Sequence, residues 1–592
     1  MSENLPKGGE FLISETKPED IFTPEDFSEE QKSIAEMTED FVTNEVLPRI
    51  EEIDAQNFEV TTSLLKQCGE LGLLAMDAPE EYDGMELEKA TVMLVMEKMG
   101  PGGSFSVAYA AHTGLGTLPL IYYGTKEQKD KYLKKITTGE YISAYALTEP
   151  GAGTDALNIK TNATLSEDGK YYILNGTKQF ITNAGFADIF FVFAKVDRKD
   201  FAAFIVEKNF EGISLGPEEK KMGIKGSSTC QLILDNVKVP VENVLGEIGK
   251  GHKIAFNILN VGRFKLGAAV TGAGKYAFSE ALKYANQRQQ FQMPIAKFGA
   301  IKEKFADIVS DLFAAESVVY RLAGLLDKKI ATIPKDAPDY YDLHNKGIEE
   351  YAIECSISKV FCSEVLGRVV DEVIQTYGGY GFIAEYPAER FYRDERINRI
   401  FEGTNEINRY LILVMLLKRA MKGELPLTKE AMKALESLMT PSFDEIDESI
   451  PFAKEKLLLK NMKTLFLIIA GSAVQKYMDK IKFEQEILLQ LADMIIQIFA
   501  LESAMLRAEK MLGKADDEKA TLLKDVVKSI AFMTSERVGT AGRKAAHYVE
   551  EEDNLTMLMS GIRRFTKYDA TGLLKSRRRL AEKASEEEKY FF

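Results

Sequence analysis

The chain has no tryptophan, four cysteines and four histidines among its 592 residues, and each scarcity closes a route to function. Cys68, Cys230, Cys355 and Cys362 show neither metal-ligand spacing nor a CxxC pair, and scattered thiols fit a reducing compartment. His112, His252, His344 and His547 are far apart in sequence, which argues against a His-rich metal centre or a Ser-His-Asp site. The start, Met1 to Asp20, lacks an apolar core and an Arg-rich amphipathic pattern, so neither a signal nor a transit peptide is expected. Near the other end the longest apolar run, Leu465 to Val474, is too short to cross a bilayer. Positive charge is also short: the formal net charge is −16, which disfavours nucleic acid as a partner. Residues 421–592 hold 28 basic and 28 acidic side chains, so the acidic excess lies entirely in residues 1–420. A soluble cytoplasmic protein is the expectation.

What is present divides by periodicity. After an arm at 1–24, residues 25–141 read as helices, with Ser28 and Gln31 spaced as a capping box before an apolar-periodic run. Residues 142–245 carry β-branched and aromatic runs broken by Gly, Asn and Asp, and read as a β domain. Helical periodicity returns over 246–420, with one helix expected from Lys265 to Gln290. Residues 421–592 form a further helical region, opened by an acidic loop (Asp444, Glu445, Asp447, Glu448) and containing a long amphipathic stretch from Phe483 to Leu512. The last residues, Ser585 to Phe592, are expected to fray. The fold class is therefore mainly α with a central β domain.

Two segments can carry chemistry. In the first, Arg393 to Arg409, Glu402 sits between Phe401 and Gly403, with apolar and basic residues around it. A carboxylate partly withdrawn from water is a stronger base, as proton abstraction beside a carbonyl requires. Arg393, Arg396, Arg399 and Arg409 are expected to supply positive charge nearby, and Thr404 a hydroxyl and N–H. Taken alone, such a Glu is more often structural, held at a helix start by the dipole. The second segment, Tyr145-Ala146-Leu147-Thr148-Glu149-Pro150-Gly151-Ala152-Gly153-Thr154-Asp155, ends an apolar strand in a Gly-rich loop. Its backbone N–H groups can meet a flat heterocycle or a phosphate, although for the glycines taken alone an ordinary turn is the safer reading. It lacks GxGxxG spacing, which disfavours a Rossmann site. Thr271-Gly272-Ala273-Gly274-Lys275 has the wrong spacing for a phosphate loop and lies in a helical pattern. Arg563-Arg564 and Arg577-Arg578-Arg579 read as solvated helix faces.

With these residues in view, the chain resembles the acyl-CoA dehydrogenases along nearly its whole length, and residues 421–592 resemble the extra helical domain of the very-long-chain subfamily. The resemblance implies that Glu402 removes the α-proton of an acyl thioester. It implies FAD contacts from Tyr145, Leu147, Thr148, Gly153 and Thr154 and from the strand Phe180-Ile181-Thr182, where Phe180 stands at the family's Trp. Thr404 and Glu406 would also border the flavin. Arg288 and Phe291 match an Arg-x-x-Phe-Gly string in which Gln292 replaces Gly; Gln375, Gly378 and Gly379 match a Gln-x-x-Gly-Gly loop. In the family both reach the FAD of a neighbouring subunit, so a homodimer is implied. Asn260, Arg263, Phe401, Gly403 and Thr154 would border the acyl-CoA, and no metal is implied. Gly262 stands where a branched-chain subset carries its base, leaving that role to Glu402. The implied reaction is FAD-dependent α,β-dehydrogenation of a saturated fatty acyl-CoA, the first step of β-oxidation, with electrons passing to electron-transfer flavoprotein. The thioester oxygen would be held by the Glu402 N–H and a ribityl hydroxyl of FAD. The alternatives are an FAD-containing binding or assembly protein with little turnover, and an acyl-CoA oxidase. The mammalian member docks on membrane through a loop in the extension; here that loop is acidic, which anionic lipid repels.

Overall fold

The computed structural model describes residues 5–439 and 446–592; the acidic pair Asp444 and Glu445 lies outside them. Helices begin at Glu29–Phe41, where Ser28 Oγ accepts from Gln31 N at 3.2 Å and Gln31 Oε1 accepts from Ser28 N at 2.9 Å. That reciprocal pair satisfies two of the donors a helix start leaves orphaned. The helical pattern to Ile53 is then interrupted by a π-helical stretch, Val42–Val46, before a short helix at Ile50–Asp54.

The β domain comprises β1 (Ser143–Ala146), β2 (Asn162–Leu165), β3 (Tyr171–Thr182), β4 (Ile189–Val196), β5 (Asp200–Glu207), β6 (Ile213–Leu215), β7 (Thr229–Pro240) and β8 (Val244–Leu245). Their order is β6-β7-β3-β2-β4-β5-β8, with β1 pairing parallel to β4. The run Ile189-Phe190-Phe191-Val192-Phe193-Ala194 is buried on both sides because successive side chains alternate faces. Ile189, Phe191 and Phe193 join the helical core, whereas Phe190, Val192 and Ala194 join a second core of the β domain. One strand thus ties sheet to helices.

The helix expected at Lys265–Gln290 runs from Gly251 to Gln287. Its start was hidden because Gly251 and Gly262 interrupt the apolar period. It ends because Arg288 turns to an extended conformation and Gln289–Gln290 pairs with Met293–Pro294 in a small hairpin. The hairpin's two central residues, Phe291 and Gln292, have φ of 50° and 65°, so Gln292 adopts the left-handed conformation that a Gly would favour there. The stretch Thr271 to Lys275 is helix–helix packing: a Cβ on Gly272 would lie 1.8 Å from the carbonyl oxygen of Glu97 on the helix Lys89–Met99. Lys275 is occupied by Glu97 at 2.7 Å and by Glu316.

Two stretches of the extension, Ala453–Phe483 and Gln485–Leu512, are long and apolar enough to cross a membrane by length and composition alone. Much of that apolar surface is used inside the protein: Leu465, Ile468, Ile495, Ile498 and Leu501 are buried. The C-terminal end does not fray. Tyr590 is buried with its hydroxyl donating to Glu316 Oε2 at 2.7 Å, and the Phe592 ring centroid lies 4.7 Å from that of Phe313. Arg577 pairs with Asp307 and Arg579 with Asp525, each at 2.6 Å, so these cations serve helix packing.

Candidate active site

A short helix, Ala388–Glu395, and a 3₁₀ turn, Arg396–Arg399, deliver the chain to Glu402. Glu402 and Gly403 have φ of 57° and 82°. Two successive left-handed residues reverse the backbone; a glutamate held there costs roughly 1–2 kcal/mol, so the surroundings must enforce it. Thr404 then caps the helix Asn405–Met421, its Oγ1 accepting from Ile407 N at 3.3 Å. The carbonyls of the turn are held from outside. Asn408 Nδ2 donates to the oxygens of Gly403 at 2.8 Å and Thr404 at 3.1 Å, and Arg263 Nε donates to that of Glu402 at 3.3 Å. Asn260 accepts from Arg263 Nη1 at 2.8 Å, so it orients the guanidinium.

The carboxylate of Glu402 lies against Gly262. A Cβ built on that glycine would stand 2.6 Å from Oε2 and 2.9 Å from Cδ. Oε2 is buried with no hydrogen-bonding partner among the described residues. Burial pushes the carboxyl up to about 7, against the pull of Arg263 and Lys359. The group is therefore near the point of ionisation at neutral pH, as a proton acceptor should be. Three of the four arginines expected to surround it are paired elsewhere. Arg393 pairs with Glu389, Arg399 with Glu395, and Arg409 with Glu364 and Asp493. The cations acting on Glu402 are Arg263 and Lys359. Lys359 was missed because it lies in another helix, Ala352–Tyr377; the available signal was a lysine within an otherwise apolar helical run.

Glu402 lines a cleft with about 1160 Å³ of atom-free space, its open mouth included. One wall is a single face of the helix Gly251–Gln287: Gly262, Leu266, Ala269, Val270, Ala273 and Ala277 recur at helical spacing. Thr182 and Phe401 also line the cleft, as do Met96 and Gly100, the latter packed against Ala269 of that helix. The walls are mainly apolar, with Lys265, Arg390, Asp394, Glu395 and Asn398 among the lining residues that can orient a polar ligand.

Beside this cleft is a surface suited to a flat ring. A register shift between Lys178 and Ile181 bulges β3, and Phe180 at the bulge has φ 57° and is 61% exposed. Ile181 is buried and holds the strand, while Thr182 reaches the cleft. The loop after β1 is joined to β3 by a bond from Gln179 N to Thr148 O of 2.8 Å and by the buried ion pair Lys178–Glu149 at 2.7 Å. Tyr145 donates to Ala255 O at 3.2 Å, and Leu147 is buried. A Cβ at Gly151 or Gly153 would meet nothing within 4 Å, and Thr154 is exposed. An exposed aromatic face, an open glycine loop and Thr182 at the cleft fit a flavin ring. Glu406 is exposed in the first turn of its helix.

Arg288 and the Gly-rich loop meet elsewhere. Arg288, Thr376, Tyr377, Gly378 and Gly379 line a separate cleft, with Arg288 5.6 Å from the Tyr380 ring centroid. Gln375 and Phe291 are exposed beside it, Phe291 to 88%. The two predicted cofactor groups thus line different clefts within one chain.

Profiles for the acyl-CoA dehydrogenase N-terminal, middle and C-terminal domains match residues 28–140, 144–237 and 249–417, and a second C-terminal domain profile matches 461–564. A probable acyl-CoA dehydrogenase of Bacillus subtilis is 48% identical over 99% of both chains. The chain belongs to the acyl-CoA dehydrogenase family. The rat mitochondrial very-long-chain specific acyl-CoA dehydrogenase is 37% identical, over 77% of this chain and 71% of that protein. The crystal structure of an acyl-CoA dehydrogenase complexed with FAD from Bacillus anthracis is 48% identical, with a TM-score of 0.97 over 99% of this chain and 100% of that one. Butyryl-CoA dehydrogenase of Megasphaera elsdenii, 35% identical with a TM-score of 0.60, covers 66% of this chain with 99% of its own.

Proposed function

We propose that this acyl-CoA dehydrogenase oxidises long, saturated fatty acyl-CoAs to trans-2-enoyl-CoAs, with Glu402 as the base. The observation that carries the reading is the Glu402 carboxylate, unpartnered at Oε2 and facing Gly262 in a mainly apolar cleft. The carboxylate accepts the α-proton of the thioester. Phe180 and the loop 145–155 would hold FAD, which would supply the acceptor for the β-hydrogen as hydride. As the α-proton leaves, negative charge grows on the thioester oxygen, and the Glu402 backbone N–H is the donor this chain offers it. The turn needs no reorganisation to do so, because Asn408 and Arg263 already hold its carbonyls. The apolar walls keep water from the reacting carbons and strengthen each of these interactions.

Chain length follows from the helix wall. From Gly262 to Ala277 the cleft-lining face spans fifteen helical steps, about 22 Å at 1.5 Å per residue. Small residues at 262, 269, 273 and 277 keep that length open, which suits a long acyl tail. Arg288, Gln375, Gly378 and Gly379 serve the FAD of a second subunit in a homodimer, consistent with their separate cleft and with Phe291 beside it. Electrons leave to electron-transfer flavoprotein, placing the reaction at the first step of fatty acid β-oxidation. Anaerobic addition of saturated acyl-CoAs to the yellow protein tests the reading: long chains should bleach the flavin band, and a band that no acyl-CoA bleaches would move the assignment to a binding or assembly role.

A further inference from the structure

Three groups hold the turn that carries the base, and one of them is a buried lysine. Lys359 is completely buried in the helix Ala352–Tyr377. Its Nζ donates to the Gly403 carbonyl at 2.8 Å and to Asn405 Oδ1 at 2.6 Å. Burying an ammonium is costly unless it is well partnered, and two neutral acceptors are modest partners. The acids acting on it are Glu402, Glu364 and Glu406. Glu364 is committed to Arg409 at 2.7 Å and to Asn405 at 3.1 Å, and Glu406 is exposed. The remaining acid is the base itself. Yet the hydrogen bonds of Lys359 go to the turn and not to the carboxylate, which leaves Glu402 free to accept a proton.

We propose that Lys359 is a positioning residue for proton abstraction: it fixes the Glu402–Gly403 turn through the Gly403 carbonyl and places one positive charge beneath the base without locking it in an ion pair. This rests on the reading of Glu402 as the base. Gly403 is the hinge of the turn, and its carbonyl is shared by Lys359 and Asn408. Losing either donor leaves two left-handed residues less firmly held, and misplacement of about 1 Å is enough to slow a reaction about a hundredfold. Burial lowers the Lys359 ammonium to about 7 against the pull of Glu402, so the charge is present below that pH and is lost above it; while present, it acts in the same direction as that of Arg263. Both favour the carboxylate, while burial and the neighbouring Tyr145 hydroxyl are the other influences in this part of the cleft.

The test uses the FAD-loaded protein with Lys359→Met and Lys359→Arg. Flavin content, melting temperature and the rate of anaerobic flavin reduction by a saturated acyl-CoA are followed from about pH 5.5 to about pH 9. Lys359→Met should keep its flavin and reduce about ten- to a hundredfold more slowly. Its activity should also require higher pH, because a charge that favours the carboxylate below about 7 has gone. Lys359→Arg should keep the midpoint but stay slower, since a planar guanidinium cannot reproduce the two contacts of one ammonium. A Lys359→Met protein with the wild-type rate and midpoint overturns the proposal. Should that variant fail to fold, Lys359→Arg decides: a slower rate supports the proposal, and wild-type behaviour overturns it. Failure of the underlying reading looks different, because Glu402→Gln would then reduce normally.

Discussion

Gly262 and Glu402 fit together as absence and presence: the missing side chain of the first makes room for the carboxylate of the second, which a Cβ would approach to 2.6 Å. The contact joins the long helix Gly251–Gln287 to the turn before the helix Asn405–Met421. It explains why the site tolerates no side chain at 262 while keeping the base at the cleft.

Gly262→Ala is expected to displace the carboxylate and slow flavin reduction about a hundredfold while leaving flavin bound. Stopped-flow reduction of the purified variant checks this. A rate within twofold of wild type would mean that the carboxylate position is not critical.

The pH dependence should follow Glu402. Its carboxyl is raised from 4.5 to about 7, so the base is protonated and idle in acid and becomes active as pH rises through about 7. The rate of reduction against pH should show this rising limb, and Glu402→Gln should abolish it.

The same shift has a cost in stability with a definite sign. A carboxyl raised by burial binds its proton more tightly in the folded chain than in the unfolded one. The penalty is absent below about 4.5, grows between about 4.5 and about 7, and is complete above. At pH 8 it amounts to about 3 kcal/mol at most, and Glu402→Gln removes it. Melting curves should show the variant gaining on wild type at pH 8 relative to pH 5, and an equal difference at both values would contradict the burial argument.

Ala273 lies partway along the cleft-lining helix face. Ala273→Phe should shorten the cleft, lowering reduction by long acyl-CoAs at least about tenfold while sparing short ones, since overfilling a packed site is costly. Comparing rates across chain lengths for wild type and variant settles whether that face binds the acyl tail.

Arg288→Ala should weaken FAD retention, visible as loss of yellow colour on gel filtration. A variant dimer that keeps full flavin would count against the two-subunit site.

Much of this was legible in sequence, for physical reasons that also mark the limits. The Ser28–Gln31 box is a local pattern, and it forms as read. The β-branched and aromatic runs of 142–245, broken by Gly, Asn and Asp, are enough to announce strands. Charge was harder. Arg393 and Arg399 sit close to Glu402 in the chain, but each finds a glutamate one helical turn away, and local pairing wins over proximity to the base. Lys359 and Arg263, which do act on Glu402, come from two distant helices, and only tertiary packing brings them there. The tail differs from the expectation of fraying at a chain end because the Tyr590-Phe591-Phe592 triplet anchors it in the core.

The central claim is that Glu402 takes the α-proton in a cleft shaped for a long acyl chain. The most direct measurement is anaerobic stopped-flow reduction of wild-type and Glu402→Gln protein, both loaded with FAD, by saturated acyl-CoAs of increasing length. The account predicts fast bleaching of wild type, fastest with long chains, and a loss of about a thousandfold or more in the variant although it still binds acyl-CoA. A variant that bleaches at the wild-type rate would contradict it.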